Sequence, residues 1–194
     1  SLTKPRRTPR EPRPADPVGD FASIVRGFAS SIGTTPSVAK ALVHVAPAAD
    51  VVVSADPATI RAAKRVVLPG QSAMPDCIRS LDASGLRDVV REVVRDRPFL
   101  GICLGLQMLF EQSEEGPTPG LALLPGRVER FRDARMTLAD GTRLKVPHMG
   151  WSRVHQVRPH PLWAGIPDGA RFYFAHSFHP VPGDPALTAA TTDY

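Results

Sequence analysis

Phe99-Leu100-Gly101-Ile102-Cys103-Leu104-Gly105, continuing through Leu106-Gln107-Met108-Leu109-Phe110, decides how this chain is read. The opening apolar run follows Pro98 and is continuous rather than alternating, the pattern of a strand buried on both faces of a parallel sheet. Leu104, Met108 and Leu109 then resume helical spacing, which puts Cys103 on a sharp strand-to-helix turn. Gly101 and Gly105 flank it and give the turn clearance. A helix starting there aims backbone N–H groups and its positive dipole end at the sulfur, favouring thiolate over thiol. The N–H of the next residue is placed to stabilise an oxyanion. A lone cysteine ending a core strand is commonly just a small buried hydrophobe. The glycine-flanked turn sets Cys103 apart as the candidate nucleophile.

Working outward, Ser84 opens a helix whose Leu86, Val89, Val90, Val93 and Val94 keep the 3.6-residue period, ended by Pro98. Val66-Val67-Leu68 is an earlier buried strand, and Val51-Val52-Val53 one before that. Asp56-Pro57 is a capping residue followed by proline at the first helical position. Ser37 caps a helix carrying Val38, Ala41, Leu42 and Val45, and a first strand is placed at residues 21–25. This alternation of strand and helix predicts an α/β fold with a mostly parallel sheet flanked by helices. After Pro125 the texture changes to strands and turns, at residues 128–131, 151–157 and 171–178, with Asp140-Gly141 as a hairpin turn.

The net charge of +5 is local: Lys4, Arg6, Arg7, Arg10 and Arg13 stand against Glu11 in the first 14 residues. Residues 1–20, with five prolines and no apolar period, read as a disordered basic tail, and 21–194 as one domain. The near-neutral remainder argues against a nucleic-acid partner. No stretch approaches 18 uninterrupted apolar residues, so no membrane association is expected. Two cysteines cannot form a disulfide framework, and no apolar signal-type stretch stands near the start; the expected location is cytoplasmic. Neither cysteine has partners at metal-ligand spacing, so no metal and no cofactor is expected. Cys77 reads as a small buried hydrophobe, and His44, His155 and His160 as solvated or core residues.

Pro69-Gly70-Gln71-Ser72 leaves the preceding strand at the same carboxyl edge of the sheet, where ligands bind in open α/β folds. By itself it is an ordinary turn; beside Cys103 its Gly70-Gln71 peptide offers a second oxyanion donor. Together with residues 113–116 (SEEG), 123–128 (LLPGRV), 145–151 (KVPHMGW) and 172–178 (FYFAHSF), these stretches resemble the class I, triad-type glutamine amidotransferases. The last two segments resemble the glutaminase subunit of imidazole glycerol phosphate synthase in histidine biosynthesis. The likeness runs from about residue 37 to the end.

The resemblance implies that Cys103 attacks the side-chain amide of glutamine. It implies an oxyanion hole from Leu104 and the Gly70-Gln71 peptide, and a glutamine site at Gln107, His176, Ser177 and Phe178. Pro147, His148, Met149 and Trp151 match the segment near a cyclase partner, with which the family forms a heterodimer. That partner uses the released ammonia to turn PRFAR into imidazole glycerol phosphate and AICAR. A non-catalytic partner-binding remnant of the family, or another class I amidotransferase, is the alternative.

The sequence departs from the family in three places. The late His-Pro motif that supplies the base and its orienting acid finds no match before Thr191-Thr192-Asp193-Tyr194. His179-Pro180 resembles it only superficially, because it continues the His176-Ser177-Phe178 match and is followed by no carboxylate. A domain incomplete at its C-terminus, weak or inactive in glutamine hydrolysis, is therefore expected. Residues 1–36 depart from the family pattern, keeping one glycine of its first turn. Ser72 stands where the family has glycine, which matters if the loop needs positive φ.

Overall fold

The computed structural model describes residues 24–25, 34–132, 137, 141 and 143–194, with side chains from residue 37 onward. The expected tail at 1–20, residues 21–23 of the first strand, and Asp140 lie outside the described residues. A parallel sheet has the order β2-β1-β3-β4, built from β1 (Ile24–Val25), β2 (Val53–Ser54), β3 (Val66–Gly70) and β4 (Phe99–Cys103). Helices α1 (Thr34–Val45), α2 (Pro57–Ala62), α3 (Met74–Ala83) and α4 (Arg87–Asp96) connect its strands. Every residue of β3 is buried, as its unbroken apolar sequence predicts. The core joins Val66 and Leu68 of β3 to Met74, Cys77, Ile78 and Leu81 of α3 and Leu86, Val89, Val90 and Val93 around α4.

The expected cap at Asp56 is formed: its carboxylate accepts the Thr59 N–H at 2.8 Å, with Pro57 opening α2. Other expectations are corrected. The first described helix begins at Thr34, so Ser37 lies inside its first turn instead of capping it. The apolar run at Val51 pairs only from Val53 onward. Ser84 does not open a helix but closes α3, its hydroxyl bonded to the Leu81 carbonyl at 3.0 Å, and α4 starts at Arg87. Helix α3 was not expected from the sequence, although Met74, Cys77, Ile78 and Leu81 bury one face of it at helical spacing. The helix after Cys103, α5 (Leu104–Gln107), is four residues long; Met108 and Leu109 already belong to the turn that follows.

The second half is the more antiparallel one. One sheet has the order β10-β7-β5-β6, from β5 (Gln112–Ser113), β6 (Thr118–Pro119), β7 (Gly126–Arg130) and β10 (Phe178–Pro182); only β5 and β7 run parallel. Another joins β8 (His148–Gln156) to β9 (Arg171–His176) and β11 (Ala190–Thr192). Strand pairing expected through residues 171–178 is broken at Ser177, where the chain leaves β9 for β10. Near the expected hairpin turn, Gly141 takes φ +84° and Thr137 bridges antiparallel to Arg143. Among the described residues no helix is long and apolar enough to cross a membrane.

Candidate active site

Cys103 ends β4 with φ +58° and ψ −122°, left-handed backbone that L-residues rarely adopt, and its side chain is exposed. The glycines around it are there because backbone occupies the space of a Cβ. A Cβ on Gly105 would lie 1.8 Å from the Leu68 carbonyl oxygen, and one on Gly101 2.7 Å from the Gly105 oxygen. Gly70 pairs with Cys103 across the parallel register, and a Cβ there would sit 2.5 Å from the Gly105 nitrogen. The ends of β3 and β4 thus close against the first turn of α5, bringing Gly70, Cys103 and Leu104 together. With only four residues in α5, the dipole contribution expected at the sulfur comes from a single turn.

The loop after Gly70 is held from two sides. Cys77, fully buried on α3, donates its thiol hydrogen to the Gln71 carbonyl at 3.1 Å, and burial pushes that thiol up to about 11, so it stays protonated. Ser72 takes φ +79°, the conformation that favours glycine. At the start of α3, where Ala73 offers no side-chain cap, the Glu115 carboxylate accepts the Met74 N–H at 2.8 Å. Neither Glu115 nor Cys77 is marked by its immediate sequence neighbours as a support of this loop. The spacing of Met74, Cys77, Ile78 and Leu81 is the signal that would have placed Cys77 beneath it.

Gln107 lies at the end of α5, only 6% exposed. Its Nε2 donates to the Phe178 carbonyl at 3.3 Å, and its Oε1 is buried with no partner among the described residues. The same carbonyl accepts from His176 Nδ1 at 2.9 Å, and Ser177 turns its own carbonyl to the Phe131 N–H at 3.1 Å. The structure therefore joins Gln107, His176 and Phe178 through one oxygen. Of the four residues expected to face a partner, Met149 (64%), Trp151 (65%) and Pro147 are exposed, while His148 turns inward and is 2% exposed. Alternation along β8 is the reason: residues 149 and 151 share one face, 148 and 152 the other.

Burial lowers the pKa of both His148 and His176, and His176 lowers that of His148 further by like-charge repulsion. Both rings have both nitrogens committed to partners other than Cys103. His179 places Nδ1 3.3 Å from the Pro180 carbonyl and stacks on Phe131. His155 lies 3.8 Å from Asp168, and His160 accepts the Leu162 N–H. An exposed cysteine on a strained strand-to-helix turn, beside a glycine loop and a buried amide with an unused oxygen, suits covalent attack on a small polar substrate.

Mixed α/β topology and this cysteine turn are the arrangement of the class I glutamine amidotransferases. Residues 31–192 match that family (Glutamine amidotransferase class-I), and the chain belongs to it. Its relatives narrow the assignment to the HisH glutaminase subunits of imidazole glycerol phosphate synthase. The chain is 61% identical over 177 residues to "Imidazole glycerol phosphate synthase subunit HisH" of Aromatoleum aromaticum, covering 91% of this chain and 82% of that one. It is 56% identical over 163 residues to the protein of the same name from Dechloromonas aromatica, covering 84% and 75%. A solved glutamine amidotransferase superposes with a TM-score of 0.57 at 17% identity, over 84% of this chain and 74% of that one, which extends the likeness of fold beyond close sequence relatives.

Proposed function

We propose that this chain works as the glutamine-hydrolysing half of imidazole glycerol phosphate synthase, with Cys103 as the nucleophile. The Cys103 thiolate attacks the glutamine side-chain carbonyl and forms a tetrahedral oxyanion. The Leu104 N–H and the Gly70-Gln71 peptide stabilise it. The amide nitrogen takes up a proton from solvent as the C–N bond breaks, so that collapse expels ammonia and leaves a γ-glutamyl thioester, which water hydrolyses to glutamate and free thiol. Gln107, His176, Ser177 and Phe178 hold the substrate. The ammonia passes to a cyclase subunit, in the cytoplasm, that makes imidazole glycerol phosphate and AICAR from PRFAR, and the exposed Pro147, Met149 and Trp151 are the docking residues. Of the alternatives expected from sequence, a non-catalytic remnant is set apart by whether a covalent adduct forms, and another amidotransferase subunit is disfavoured by the 61% identity to a HisH subunit.

The observation that carries this reading is the strained, exposed Cys103 locked by three glycines at the end of β4. The test is incubation with a diazo-ketone glutamine analogue followed by intact-mass measurement, with Cys103→Ala alongside. One adduct that disappears in Cys103→Ala is the expected result; no adduct on the folded chain overturns the reading. Because no described histidine is hydrogen-bonded to the Cys103 sulfur, alkylation should outpace glutamine turnover. Rapid ammonia release that is lost in Cys103→Ala would contradict that expectation.

A further inference from the structure

Four groups beside the glutamine site form one continuous chain of hydrogen bonds whose direction is fixed from one end. The Phe178 carbonyl can only accept, so His176 Nδ1, 2.9 Å away, carries a hydrogen. A neutral His176 then has a bare Nε2, and His148 Nδ1, 3.2 Å away, must donate to it. That leaves His148 Nε2 bare, and the Ser152 hydroxyl at 2.9 Å must donate. Phe174 and Tyr194 stack on His148 at centroid distances of 4.8 and 3.7 Å, and Phe131 meets His176 edge-on at 5.1 Å, which holds the rings in place. At the far end the Phe178 carbonyl also takes the Gln107 Nε2 hydrogen. Since that oxygen accepts only, it decides which way the Gln107 amide lies and leaves Oε1 as a buried acceptor with its lone pairs free.

We propose that Ser152 and His148 are positioning residues for glutamine: through His176 they fix the Phe178 carbonyl, and that carbonyl fixes the orientation in which Gln107 presents its amide oxygen. The assignment rests on the reading that Gln107 and Phe178 hold the substrate. None of the three groups Ser152, His148 and His176 needs to touch the reacting atoms. What they contribute is a polarity: each member has one donor and one acceptor side, and Ser152 is the outermost donor. The relay also runs from β8, whose other face carries the exposed Met149 and Trp151, to the helix that follows Cys103. Ser152 is not legible in the sequence, because nothing in its spacing from His148 marks it until the strand alternation is known.

The test uses the full 194-residue chain in three forms, wild type, Ser152→Ala and Ser152→Thr. Three quantities are read: the concentration dependence of Cys103 alkylation by the diazo-ketone glutamine analogue, its alkylation by iodoacetamide, and the imidazole ¹⁵N spectra of His148 and His176. In wild type both rings should carry the hydrogen on Nδ1. Ser152→Ala should raise the half-saturating analogue concentration roughly fivefold, the weight of one hydrogen bond, with the saturated and iodoacetamide rates unchanged. Ser152→Thr keeps the hydroxyl and should return to within about twofold of wild type. An Nε2 hydrogen on either ring in wild type overturns the proposal without any variant, and so does Ser152→Ala with wild-type saturation. An iodoacetamide rate that changes in step with the analogue would make Ser152 merely structural and equally overturn it. A wild-type chain that the analogue does not label at all overturns the glutaminase reading, and the positioning role with it.

Discussion

Cys103 sits where sequence and structure agree for a local reason. A glycine on each side of a cysteine, between an apolar run and a helical period, already specifies a turn too tight for side chains on its neighbours. The structure adds the strain, φ +58° on a residue with a Cβ. Backbone held there costs of order 1–3 kcal/mol. Replacing Cys103 by glycine should therefore give a more stable chain than replacing it by alanine, by about 1 kcal/mol, because glycine alone removes the Cβ conflict. Urea unfolding midpoints of the two variants measure the difference, and an alanine variant as stable as the glycine one would deny that the turn is strained. Gly105→Ala should destabilise by about 3 kcal/mol, since the new methyl would press on the Leu68 backbone and not on a movable side chain. Gln107 was legible only in part. Its position one turn beyond Cys103 could be counted, but its unpartnered oxygen depends on Phe178, 71 residues further along.

At the level of elements, the parallel half was legible because its strands are continuous apolar runs, and helix α3 was not. Pro75-Asp76 reads as a turn when taken alone, whereas proline in the first turn of a helix disturbs nothing. The missing side-chain cap of α3 is supplied from 41 residues away by Glu115, a partner that no window along the chain contains. Glu115→Ala should cost about 1 kcal/mol and loosen the loop from Gly70 to Ala73, seen as faster amide exchange of Met74.

The β8–β9 pair carries a pH dependence whose sign follows from its histidines. Both His148 and His176 have folded-state pKa values below the ordinary 6.5. As pH falls through about 6.5 the unfolded chain takes up protons that the folded chain refuses, so stability present above that value is lost progressively below it. Carboxylates such as Asp56, held low by its hydrogen bonds from Thr59, release their share only in a more acid window. Urea midpoints should decline between pH 7 and pH 5.5; a flat or rising trend would contradict neutral burial of the two rings.

For the whole molecule, the arrangement places the proposed nucleophile, Cys103, at the end of a parallel sheet and an aromatic surface on a separate antiparallel one. Trp151 meets Tyr173 edge-on at 5.6 Å across β8 and β9, with Met149 exposed on the same strand. On the proposed reading these exposed aromatic and methionine side chains are the docking surface, and a central tryptophan is the residue type on which such contacts depend most. Trp151→Ala should weaken binding to the cyclase subunit by about tenfold or more, measured by titration calorimetry, and unchanged affinity would move the docking site elsewhere.

The sequence by itself determined the parallel α/β half, the buried strand β3, the half-buried strand β4 beside it, the cap at Asp56 and the strand-to-helix turn at Cys103. All of these are written in periods and neighbours a few residues apart, which is the range over which backbone sterics and capping act. Tertiary structure alone decided the rest: which face of β8 His148 occupies, the cap that Glu115 lends to α3, the bond from Cys77 to the loop after Gly70, and the chain from Ser152 to Gln107. Each joins groups from different elements, and a hydrogen bond between elements exists only once packing of the apolar core has brought its donor and acceptor within about 3 Å.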